Sequence, residues 1–248
     1  MKEALFWKPE GRNLRCGLCA RRCLIARGST GFCRVRKNVG GKLLSLVYGK
    51  VAAMNLDPIQ KKPFFHFAPG SDALSFSTVG CSVRWRVCCN APLSREWEQV
   101  FGEEPAPAQI AARAKKQAQG LCYTYMEPTI FYEFAQDCAK LAKGLYNCWV
   151  TNGYTTPEPI AAFKQLDAAV VDFKGSANPK IYRELADVPS PEPIFEALLA
   201  YKKAKKFLEI TDLIIPGTPE PLKWARTLAR WVCENLGPDT PMHFIRFF

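Results

Sequence analysis

Nowhere in the 248 residues does an apolar run approach the ~18–20 needed to span a bilayer, which excludes helical membrane-spanning functions. The start, Met1 to Pro9, lacks the long apolar stretch and small-residue cleavage site of a signal peptide, so a cytoplasmic protein is expected. In that reducing compartment the 11 cysteines are not expected to pair as disulfides, and their odd number argues against a fully paired framework. Also missing is any block that interleaves basic and aromatic residues, as a single-strand binding platform requires. The net charge of +11 favours an anionic partner, either nucleic acid or a phosphorylated or carboxylated small molecule. That charge is dispersed. Its densest stretches are Lys202–Lys206, Arg113–Lys116 and Arg34–Lys37, and the first two read as solvated helix faces.

What is present is ordinary globular material, 48% hydrophobic and 23% charged, enough to bury one large core with a small appendage. Residues 1–40 stand apart. Cys16, Cys19, Cys23 and Cys33 sit among glycines with little apolar periodicity, a segment expected to be held by a metal rather than a core. Residues 41–71 read as one strand followed by an irregular link through Pro58, Pro63 and Pro69. From Asp72 onward, strands and helices alternate. Strands are expected at 73–79, 121–126, 146–150, 168–172, 207–215 and 241–247, with helices after 103, over 130–142 and over 219–236. Such alternation implies a parallel sheet with right-handed crossovers. Six units make either a partial (β/α)6 TIM-like barrel or an open doubly wound sheet, and the pattern alone does not separate the two.

Nearly every chemistry-bearing motif falls at the carboxyl end of a predicted strand, the edge where parallel α/β folds bind ligands. Cys81, Cys88 and Cys89 follow the first strand and Glu127-Pro128 the second. Thr151-Asn152-Gly153 follows the third, Asp172-Phe173-Lys174-Gly175 ends the fourth, and Pro216-Gly217 closes the fifth. His243 lies within the sixth. Cys122, Cys138, Cys148 and Cys233 fall inside predicted elements and read as small core hydrophobes. The spacing Cys16-x2-Cys19-x3-Cys23-x9-Cys33 supplies four ligands, enough for one tetrahedral zinc or a second iron–sulfur cluster.

The segments Leu46–Val51, Asp57–Phe67, Thr78–Cys81, Tyr123–Thr129, Val150–Tyr154, Val171–Gly175 and Ile215–Gly217 together resemble the radical S-adenosylmethionine (AdoMet) enzymes. The resemblance is to the AmmeMemoRadiSam-system branch, which is similar to pyruvate formate-lyase-activating enzymes, and it runs over essentially the whole chain. It implies a [4Fe–4S] cluster on a C-x3-C-x2-C motif, with AdoMet chelated at the open iron and cleaved to a 5′-deoxyadenosyl radical. Cys81 and Cys88 fall on the first and third ligand positions. Trp85 falls on the second, where an indole, which only donates, cannot replace a thiolate. Cys89 is the spare thiol that could be recruited; otherwise it is a small loop residue in a disrupted copy.

By the same resemblance Glu127 faces the AdoMet amino group, and Thr151 and Asn152 belong to a ribose- and substrate-facing turn. Asp172 and Lys174 form an acid–base pair near the cofactor, and His243 faces the adenosine. Read from the residues alone, Asp172 and Lys174 equally form a structural ion pair, and His243 a hydrogen-bonded core residue. Relatives carry a tryptophan-containing segment after Asn90, where this chain has Ala-Pro-Leu-Ser, and they continue beyond Phe248. The implied partners are a flavodoxin- or ferredoxin-like one-electron donor and an unknown protein or small-molecule substrate. A non-catalytic metal-binding interaction module and an RNA-modifying enzyme stand as alternatives.

Overall fold

The computed structural model describes residues 1–247. Its centre is a seven-stranded sheet: β1 (Ala53–Pro58), β2 (Asp72–Ser77), β3 (Gly120–Tyr123), β4 (Tyr146–Thr151), β5 (Ala168–Lys174), β6 (Phe207–Ile214) and β7 (Met242–Arg246). Strand order follows chain order from β7 to β1, and every neighbouring pair is parallel except the antiparallel β1–β2. A doubly wound sheet reverses its order part-way, whereas this one does not. The architecture is therefore the partial barrel. The covering helices are α1 (Pro107–Gln117), α2 (Tyr132–Leu141), α3 (Pro157–Ala162), α4 (Pro179–Ala186), α5 (Glu192–Lys203) and α6 (Pro221–Leu236). No helix among the described residues is long and apolar enough to cross a membrane.

The elements follow from local chemistry. β5 reads Ala-Ala-Val-Val-Asp-Phe-Lys, buried from Ala168 to Val171, as a strand covered on both faces should be. α1 starts at Pro107 rather than at the acidic pair before it. The Gln109 side chain accepts the Ala106 N–H at 2.7 Å, while Glu103 pairs with Val51 in an isolated bridge. α6 buries Ala225, Leu228 and Val232, which leaves Cys233 exposed. That corrects the core reading of Cys233. Cys122, Cys138 and Cys148 are buried as expected.

The link before Asp72 is more ordered than its prolines imply. Ala53–Pro58 adds an edge strand, with Asn55 and Leu56 facing solvent, so its apolar signal is weak. After a single 3-10 turn at Ile59–Lys61, the chain crosses to the opposite sheet edge, where Phe65, His66 and Phe67 all donate backbone N–H bonds to Glu209 of β6. β1 and β7 are not paired with each other, so this strap of residues 59–67 spans the seam.

The amino-terminal segment forms two small antiparallel sheets. Lys2–Glu3, Lys42–Ser45 and Arg36–Val39 make one, and Trp7–Glu10, Asn13–Cys16 and Leu24–Ile25 the other. Leu14, Leu18, Ile25, Val35 and Leu43 join the same apolar core as the barrel strands. The segment is thus anchored by packing into the core, where a metal rather than a core was expected. A buried ion pair adds to this: the Arg36 guanidinium donates to Glu133 of α2 and to the Leu5 carbonyl at 2.8 Å, and the Leu5 N–H donates back to Glu133. Removing one partner leaves a buried charge alone. Glu133→Ala is expected to destabilise the protein by about 3–5 kcal/mol in urea unfolding.

Candidate functional site

At the carboxyl ends of β2 to β6 lies a cavity of about 560 Å³. Eight residues singled out from the sequence line it: Cys81, Cys88, Cys89, Glu127, Thr151, Asn152, Asp172 and Lys174. Each arrives on the loop or strand end that its motif predicted.

Glu127 is the best-held of them. Its buried carboxylate accepts from Thr129 (N–H at 3.2 Å and hydroxyl at 2.8 Å), from the Thr151 hydroxyl at 2.9 Å and from the Asn152 N–H at 2.9 Å. Burial pushes its pKa up, and these donors counter part of that shift. Asn152 carries the network onward. Its amide donates to Cys81 Sγ at 3.6 Å and Ser82 Oγ at 3.2 Å. Burial, then the nearby Glu127 carboxylate, push the Cys81 thiol up to about 12. Unliganded, it stays protonated at neutral pH, and a bound metal cation would reverse that preference.

The loop carrying the cysteines is seated from two sides. Arg84 and Arg86 donate backbone N–H bonds to Ala186 and Leu185 at the end of α4. At Gly80, with φ +97°, a Cβ would come within 2.9 Å of the Cys33 carbonyl and 2.8 Å of Val35, so only glycine admits the amino-terminal segment this close. Trp85 is buried. Its ring meets Tyr182 edge-on at 5.1 Å, and Arg95 caps its carbonyl. The indole therefore forms part of the cavity wall between Cys81 and Cys88 in the chain.

On the far wall Lys174 pairs with Asp172, which also accepts from Thr211 at 3.1 Å. Sequence reasoning missed several neighbours. Buried Asp212 accepts from the Ser176 N–H at 2.9 Å and hydroxyl at 2.6 Å, holding a turn whose residues Gly175, Ser176 and Ala177 all have positive φ. The buried polar pair Thr211-Asp212 within β6 is the signal that was available. Asp57 accepts from Lys61 at 2.8 Å, Lys62 at 2.7 Å and the Tyr125 hydroxyl at 2.5 Å, and Lys61, Lys62 and Tyr125 line the cavity.

His243 is not brought to this site. It pairs in register with Thr211, near the start of β7, and its Nε2 lies 2.7 Å from Glu209. The β7 residues that reach the cavity are Ile245 and Arg246. Phe248 lies outside the described residues.

The four amino-terminal cysteines do converge. Cys16, Cys19, Cys23 and Cys33 line one small enclosed void with Arg21 and Arg36. The Phe32 N–H lies 3.4 Å from Cys23 Sγ, and Arg36 lies 3.8 Å from Cys16 Sγ. Burial pushes Cys33 up to about 11 and raises Cys19, the neighbouring thiols adding to both. All eleven cysteines are free thiols. A second opening, lined by Cys33, Cys81, Arg34, Arg84 and Arg95, connects this group to the main cysteine loop.

No known family profile matches the chain. An uncharacterized protein of Methanocaldococcus jannaschii is 36% identical over 252 aligned positions, covering all of this chain and 74% of that protein. The chain belongs to that protein's family. Two solved structures share the fold of this family member. Native anSMEcpe with bound AdoMet has a TM-score of 0.52 at 17% identity, over 68% of this chain and 50% of that one. Streptococcus suis SuiB bound to S-adenosylmethionine has a TM-score of 0.51 at 17% identity, over 71% of this chain and 42% of that one. The chain thus spans about half or less of the structures it matches. These likenesses show the fold alone.

The Asp57 network yields a pH test. Its lysine and tyrosine donors hold Asp57 well below the usual carboxylate range, although burial opposes them. A depressed folded pKa stabilises fully above the unfolded value of about 3.9, and the contribution fades as pH falls toward the folded value. Asp57→Asn should therefore lower the melting temperature at neutral pH. The gap from wild type should narrow steadily below about pH 4 in thermal unfolding followed by circular dichroism.

Proposed function

We propose that this is a radical AdoMet protein that holds a [4Fe–4S] cluster on Cys81, Cys88 and Cys89 and binds AdoMet in the adjoining cavity. The observation that carries the reading is the convergence of those three thiols with Glu127, Asn152, Asp172 and Lys174 on one 560 Å³ cavity. The donor set fits a thiolate-ligated cluster once Cys89 takes the position that Trp85 cannot fill. When bound, such a cluster supplies the electron that cleaves the sulfonium of AdoMet to a 5′-deoxyadenosyl radical, which abstracts hydrogen from the substrate.

The chain's own residues do the rest. Glu127 fixes the Thr151–Gly153 turn and presents a negative wall to the AdoMet ammonium. Asn152 positions Cys81. Lys174 and Asp172 sit opposite, as partners for the carboxylate and ribose hydroxyls. The Arg34, Arg84 and Arg95 side chains around the second opening suit an acidic flavodoxin- or ferredoxin-like electron donor. The four amino-terminal thiols would hold zinc or a second cluster. The substrate is a protein or small molecule, by analogy with activating enzymes. A second reading, a non-catalytic metal-binding module, is favoured by one observation: Trp85 is packed against Tyr182 as a core residue at a ligand position.

Anaerobic reconstitution with iron and sulfide separates the two. Wild type should gain iron–sulfur charge-transfer absorbance and release 5′-deoxyadenosine from AdoMet under dithionite. Cys89→Ser should lose at least tenfold of that release, and adding Trp85→Cys to Cys89→Ser should restore it. If Trp85→Cys binds no more iron than wild type and neither releases 5′-deoxyadenosine, the catalytic reading fails.

A further inference from the structure

The chain has two histidines, and the fold brings both to one buried carboxylate away from the cavity. Glu209, the third residue of β6, is fully buried. His243 reaches it from β7, with Nε2 2.7 Å from Oε2. His66 reaches it from the strap, with Nδ1 3.3 Å from the same oxygen. The two rings stack with centroids 5.5 Å apart, and Phe65 closes edge-on over His243 at 4.8 Å. The two ring nitrogens and the carboxylate oxygen all lie within 4.8 Å of one another.

We propose that His66, Glu209 and His243 bind one divalent transition-metal ion of the zinc class, which pins the strap across the barrel seam. Four features carry this. Ligand bonds of about 2.0–2.2 Å place neighbouring donor atoms roughly 3–3.5 Å apart; the two nitrogens lie 2.7 and 3.3 Å from Oε2, and all three atoms lie within 4.8 Å of one another. Both nitrogens converge on one oxygen, Oε2, which also accepts the Phe65 N–H at 3.0 Å. The other oxygen is engaged by the His66 and Phe67 N–H groups at 3.0 and 2.9 Å, so the carboxylate is oriented in advance by outer partners, as metal carboxylates are. Finally, the His66 side chain is 58% exposed, which leaves an entry path and room for water on the ion. Two neutral imidazoles and one carboxylate suit zinc, iron(II), cobalt or nickel rather than calcium or magnesium.

The consequence reaches the cavity, because the same strap carries Lys61, Lys62 and Pro63 into its wall. The site is independent of AdoMet chemistry, so it stands or falls separately from the function proposed above.

With only two imidazoles in the chain, the test is direct even though the thiols also bind zinc. The full chain, labelled with 15N-histidine and kept reduced, is titrated with Zn2+ while both ring systems are followed by NMR. His66 Nδ1 and His243 Nε2 should shift together along one saturable isotherm. His66→Ala, an exposed change whose metal-free melting temperature should match wild type, should weaken zinc binding at the His243 ring at least tenfold. Retained zinc should fall by one equivalent in equilibrium dialysis. Rings unmoved by excess Zn2+, or a shift confined to exposed His66, would show a carboxylate clamp only and overturn the proposal.

Discussion

A carboxylate taken out of water must be surrounded by donors, and the site rests on how Glu127 meets that requirement. Its donors come from the turns after two adjacent strands, β3 and β4. Neither turn can shift without stranding a buried charge, so the two move as one body. Asn152 then ties the cysteine loop to the same knot. Three loops that are distant in sequence thereby share one fixed geometry, which is what positioned chemistry at the mouth of a barrel requires. Burial first, and then this same carboxylate, keep Cys81 protonated.

Most of the barrel could be read from the residues because its strands are short, apolar and regularly spaced, and its motifs sit at their ends. Strand order was not readable, since order is a property of pairing rather than of any one segment. Register was the other blind spot. His243 was placed on the correct strand, but its partner Glu209 could not be read before the pairing of β6 with β7 was known. β1 escaped notice for a different reason. Edge strands carry polar residues on an exposed face, as Asn55 does, and the buried charge of Asp57 further hid the alternation. Asp57 itself needs a tertiary partner before it means anything, and Lys62 and Tyr125 supply it only once the strap has folded back.

The amino-terminal segment is anchored by packing despite its irregular loops. Its glycine-rich loops lack periodicity, yet Leu14, Ile25 and Val35 still reach the barrel core. Arg36 adds a buried ion pair with Glu133 and lies beside Cys16. The Cys33 carbonyl rests against Gly80, so the four-thiol group abuts the loop of the main site without an intervening layer.

The unpaired seam between β1 and β7 has a further implication for this family. In a fully laddered barrel, bore and register are coupled, and neither changes without re-pairing every strand. Here the circumference is completed by residues 59–67, whose backbone N–H groups bond the Glu209 carboxylate instead of a strand ladder. Substitutions in that short stretch can widen or narrow the lumen while all six ladders stay intact, which gives evolution a dial for guest size that leaves the scaffold's folding untouched.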